Sequence, residues 1–222
     1  MTRTSMRWVL VGALALFLTP IVLEAAGGSS TPTPTRSPQD EAKAAYERGL
    51  RYRDKAWKLE EKAAASTDPK ARGKLEGKVQ KEFQRAVRAF RDATRSNPRM
   101  FQAFSSLGYA LRRTGDYEAS LEAYNRALEL ESRYAEAIEY RAEAYLGLNR
   151  LDDAKTAYLR LFRGDRERAD ELMSAMKKWV ERRRAEPGTL DRTTIDAFAA
   201  WVEERARISE QTASLSGGAS SW

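Results

Sequence analysis

Apolar residues recur every three to four positions from about Gln39 to Ile208, and short runs of Gly, Pro, Asn and Asp interrupt them. That period is helical, and the interruptions are where helices stop. Ala42, Ala45, Tyr46, Gly49, Leu50 and Tyr52 open the first stripe, which continues through Ala56, Trp57, Leu59 and Ala63. Ser66-Thr67-Asp68-Pro69 predicts a turn, with Asp68 as an N-cap before Pro69. The next stripe carries Leu75, Val79, Phe83, Ala86, Val87 and Phe90 and stops at Asn97-Pro98. Shorter helices are expected at 100–114, 117–130, 134–148 and 151–162, then longer ones at 166–184 and, capped by Asp191 or Thr193, to about Ile208. From Ser209 the pattern is lost, and 209–222 reads as a disordered tail.

The first 38 residues read differently. Arg3 and Arg7 precede an apolar run from Trp8 to Leu23, broken by Thr19-Pro20 and followed by Ala25-Ala26-Gly27. This is the grammar of a secretory signal peptide over 1–27. The alternative is a retained anchor, although the run is short against the roughly 20 residues of a span. Residues 28–38 form a Gly/Ser/Thr/Pro linker with nothing to bury.

Composition narrows the chemistry. The chain has neither Cys nor His, which removes disulfides, thiolate and imidazole metal sites, and Ser-His or Cys-His catalysis. No Gly-rich phosphate loop is present, and no motif asks for a cofactor. The formal net charge is +7. It falls to +6 if Arg3, Arg7 and Glu24 leave with a leader. The surplus admits acidic partners or anionic lipid. Arg182-Arg183-Arg184 ends a helix, where it complements the dipole. No aromatic stacking platform or nucleic-acid reading motif accompanies it, so no nucleic-acid partner is expected.

Self-comparison at an offset of 34 places Tyr124 on Tyr158, Leu111 on Tyr145, Tyr117 on Leu151 and Gly115 on Asn149. Helix pairs repeating at that period resemble the tetratricopeptide repeat. Phe104, Leu107, Gly108 and Leu111 occupy the positions of a first helix, Gly115-Asp116-Tyr117 the turn, and Tyr124 and Ala127 the second helix. The next unit carries Tyr145, Leu151, Ala154 and Tyr158 but has Arg141-Ala142 where Leu-Gly is usual. The resemblance implies an all-α solenoid over 39–208. It divides into an extended hairpin (40–97), repeats at 98–132 and 135–165, and a capping pair (166–208). In the first unit Gly49 and Phe83 lie 34 residues apart, where Gly108 and Tyr117 lie nine apart. The excess of 25, split equally, adds about three turns to each helix and predicts a projecting hairpin. Pairing Leu59 with Leu75, Ala56 with Val79 and Tyr52 with Phe83 matches apolar residues throughout.

The same resemblance implies a concave groove lined by the first helix of each pair. It places Gln102, Ser105, Tyr109 and Arg112 there, then Glu136, Glu139 and Glu143, then Asp170, Met173 and Lys177. Family members that grip chaperone tails need Lys and Asn at set groove positions. Ser105, Tyr109 and Glu143 stand there instead, and an acidic patch at 136, 139 and 143 would repel such a tail. The hairpin is a second candidate surface, with Trp57, Lys58 and Lys62 as contacts; the competing reading, which the sequence favours, puts Trp57 in the hairpin seam. Residues 54–82 carry eight basic and six acidic residues, and a solvated face also accounts for them. The resulting expectation is a non-enzymatic, exported scaffold or adaptor, periplasmic or on the cell surface. It would bind a protein or peptide in building or maintaining an envelope complex. A membrane-surface binding module using the retained anchor and the basic hairpin is the alternative, and a carboxylate-dependent hydrolase is a weaker one.

Overall fold

The computed structural model describes residues 37–218. The expected leader, the linker up to Arg36 and residues 219–222 lie outside the described residues. All regular structure among the described residues is helical: α1 (Pro38–Ala64), α2 (Pro69–Ser96), α3 (Phe101–Arg113), α4 (Tyr117–Leu130), α5 (Ala135–Gly147), α6 (Leu151–Gly164), α7 (Arg166–Ala185) and α8 (Arg192–Gly218). Consecutive helices pack as antiparallel pairs, and α3, α5 and α7 also touch one another in sequence. This is the all-α solenoid expected.

Local chemistry sets the ends. Ser37, Asp68, Asp116 and Asp165 accept from the backbone N–H of Asp40, Lys70, Ala119 and Arg168 and so cap α1, α2, α4 and α7. Asp191, not Thr193, plays that part for α8, accepting from Thr194 N at 2.8 Å. Gly115 and Asn149, the pair related by the offset of 34, both turn into the left-handed region at φ 87° and 59°. Only the second departs from the residue type that adopts it freely.

The hairpin is real but its lengthening is uneven. Aligned on Gly49 and Gly108, α1 gains ten residues at the tip and four at its start, while α2 gains fourteen, all at the tip. Its seam is Ala56, Val79 and Phe83, with Leu59 partly buried against them. Trp57 is not in that seam; it is 36% exposed. The tail also differs from expectation, because α8 continues past Ser209. Arg166 donates to the Ser209 hydroxyl (3.0 Å) and carbonyl (3.3 Å), and Thr212 donates to the Ile208 carbonyl (2.7 Å). These bonds hold the turn where the apolar stripe runs out.

Close helix contact depends on glycine facing an aromatic ring. A Cβ on Gly49 would lie 2.4 Å from the Phe90 ring, and one on Gly108 would lie 2.7 Å from the Tyr124 ring. Phe90 and Tyr124 are fully buried and have nowhere to move. The third unit has Ala142 instead, and α5 and α6 are in less intimate contact than α3 and α4. A buried carboxylate pins the hairpin base. Burial pushes Glu82 up, but Lys55 (2.8 Å) and then Arg85 (3.0 Å) hold it below its ordinary value.

Candidate functional site

The expected groove and the expected hairpin surface meet in one place. Trp57 on α1 donates its indole N–H to the Tyr109 hydroxyl on α3 at 2.8 Å, with the rings edge to face. Arg113 donates to the same hydroxyl at 2.9 Å and pairs with Glu60 of the hairpin. Tyr109 packs on Phe83 of α2 and, 5.2 Å away, on Tyr140 of α5. Arg53 lies 4.2 Å over the Trp57 ring. One tyrosine thus ties the hairpin to two helices of the stack, and it forms an aromatic wall flanked by arginines.

The groove charges are mostly neutralised. Arg112 bonds Glu143 at 2.6 Å and lies over both Tyr109 and Tyr140. Burial opposes the charged form of Arg112 most strongly, yet Glu143 together with Tyr124 and Tyr109 holds the guanidinium above its ordinary value. Glu136 accepts from the Tyr134 hydroxyl at 3.0 Å. Glu139 is buried at 4% exposure and bonded to Arg168 of α7 at 2.8 Å. Burial pushes its carboxyl up to about 7, against the pull of Arg168. The acidic patch expected at 136, 139 and 143 is therefore not a free repelling surface. Two of its three carboxylates join helices.

Several expected contact residues are not open to a partner. Ser105 and Glu139 are buried, Glu139 against Arg168 of the neighbouring helix pair. Met173 is buried because the long α8 turns its C-terminal half over that part of α7. There Met173 and Lys177 share a pocket with Ala206 and Ser209, apart from the Tyr109 cluster. Gln102 is half-buried; Lys58 and Lys62 are exposed. Neither lysine has an ion-pair partner among the described residues. Beyond the expected residues, the wall uses Tyr140, Arg113 and Arg53. Tyr140 was within reach of sequence reasoning, since it lies four positions after Glu136 and three before Glu143 on one helical face. Arg113 was not, because its partners come from the inserted hairpin.

Beside the wall lies a polar pocket of about 440 Å³, lined among others by Gln80, Arg112, Arg113, Glu143, Trp179 and Arg182. Trp179 closes one side, its indole N–H held by the Leu146 carbonyl at 2.7 Å.

Residues 71–135 match the family model of the tetratricopeptide repeat. Over that stretch the chain carries the tetratricopeptide repeat. The matched window takes in most of α2 with α3 and α4, and leaves out α1, which the inserted tip separates from its normal spacing. A solved structure titled "MamA RS-1 ArsTM double mutant" is 19% identical. It covers 76% of this chain and 96% of its own, with a TM-score of 0.38. No curated protein matches the chain. Repeats of this kind form extended concave surfaces that bind other proteins.

Proposed function

We propose that the protein is an exported scaffold that holds a protein segment against the wall of Trp57, Tyr109 and Tyr140, in assembly or maintenance of a cell-envelope complex. The juxtaposition of Trp57 with Tyr109 carries this reading. It supplies a half-exposed aromatic anchor at the corner of a concave surface, where an apolar side chain of a partner gains contact and the flanking arginines offer hydrogen bonds. Export is inferred from the leader grammar at 1–27.

The test is site-specific photocrosslinking in intact cells. A crosslinker at Lys58, next to Trp57 in the chain, or at Gln102, about two turns before Tyr109 on α3, is expected to capture one defined envelope protein. The same group at Thr156 on α6 is not. Trp57→Ala together with Tyr140→Ala is expected to abolish the capture while leaving helix content unchanged. Capture that is equal at all positions, or a cytosolic location of the native protein, would overturn the proposal.

A further inference from the structure

The net charge of this protein is not spread over it. Of 39 basic and 32 acidic residues in the chain, nine and three lie on α2, which leaves 30 and 29 elsewhere. Eight of the nine fall on one face. Lys70, Lys74, Lys78, Lys81, Arg85, Arg88, Arg91 and Arg95 follow one another at spacings of three or four, and all are exposed. The face opposite them carries Val79, Phe83, Ala86 and Phe90 and is buried in the core. Among the described residues only Arg85 and Arg95 are paired, with Glu82 and Asp92; the other six side chains make no ion pair there. At 1.5 Å per residue the stripe runs straight for about 38 Å. Gly73 and Gly77 lie along it with open space where a Cβ would be, so no bulk rises between the lysines.

We propose that this face docks on an anionic phospholipid surface. Because the apolar face of α2 is committed to the core, the helix does not insert; it lies on the headgroups by charge alone. A straight line of cations matches a plane of negative charge. The chain itself supplies the second reason. The apolar run Trp8–Leu23 joins α1 through residues 24–37, about 45–50 Å at full extension. α1 begins beside the Arg95 end of the stripe, where Ala45 packs with Ala93 and Arg48 pairs with Asp92. A retained apolar run and a polybasic face are the two signals that stable membrane association needs. No aromatic residue stands on the stripe to stack a base. The stripe and the Tyr109 wall lie on opposite sides of α2, so this proposal stands or falls independently of the groove.

The absence of cysteine makes the test direct. In the full chain, Gln84→Cys places a fluorophore on the stripe, and Ser174→Cys on α7 serves as the control. Vesicles of phosphatidylcholine alone, or with phosphatidylglycerol, carry a headgroup-linked quencher. Quenching at 84 but not at 174 is expected, only with the anionic vesicles, and lost in 0.5 M salt. Replacing Lys70, Lys74, Lys78 and Lys81 by Gln is expected to weaken the contact by about two to three orders of magnitude. Circular dichroism verifies that this variant is folded. Insertion of Trp8–Leu23 alone predicts equal signals in both lipids. Equal quenching at the two positions, quenching that survives salt or the four substitutions, or binding to a 20-base-pair duplex without preference for anionic vesicles overturns the proposal.

Discussion

Four glycines at the residue scale act in opposite ways. Gly49 and Gly108 are buried where an aromatic ring of the paired helix presses on the backbone, whereas Gly73 and Gly77 sit in open helix. Gly108→Ala is expected to cost about 1–3 kcal/mol, because the Tyr124 ring is fully buried and the helices must separate. Gly77→Ala is expected to gain about 0.5–1 kcal/mol, since it removes only the conformational freedom of the unfolded chain. Urea denaturation of the two variants reads both signs; two losses would mean that the Gly77 backbone is constrained by something other than solvent. The role of Gly108 was legible in the sequence, because Phe104, Leu107 and Leu111 surround it at fixed spacing. A third contact was not: a Cβ on Gly147 would lie 2.3 Å from the Tyr117 ring. That pair joins two different repeats, and periodicity within a repeat says nothing of it.

Elements join through seams, and the α5–α7 seam depends on pH. Glu139 lies between these helices, bonded to Arg168, with Glu143 and Glu171 adding negative charge nearby. Its carboxyl titrates near 4.5 when unfolded and near 7 when folded. Between those values the folded chain holds a proton that the unfolded chain has released. Its contribution to stability is therefore full below about 4.5 and is lost as pH rises through about 7. The loss is on the order of 1–3 kcal/mol. Glu139→Gln keeps an oxygen for Arg168 and removes the titration. Denaturation at pH 5, 6, 7 and 8 is expected to show the wild type weakening relative to this variant; parallel profiles would refute the burial argument. The helices of this seam were legible from their stripes. The pairing was not, since Glu139 reads as an exposed groove acid until α7 brings Arg168 against it.

Across the whole molecule, stability and surface are divided between the two ends. The hairpin tip beyond Leu59 and Val79 buries little besides Ala63. At the other end Leu172, Met176, Trp179, Ile195, Phe198 and Val202 are all sealed by the contact of α7 with α8. In a stack whose units contact mainly their neighbours, a terminal unit without its cap exposes a core face. Ending the chain after Pro187 removes α8 and uncovers Trp179 and Tyr158, which pack on Phe198 and Trp201. It is expected to lower Tm by 10 °C or more, on the order of several kcal/mol of lost burial, and to cause concentration-dependent association through the bared face. Shortening the tip by removing residues 62–73 with a short turn in their place is expected to move Tm by only a few degrees. Calorimetry and light scattering on both variants decide the matter. If the tip deletion destabilises as much as loss of the cap, the projecting hairpin contributes to the core rather than serving as an appended surface.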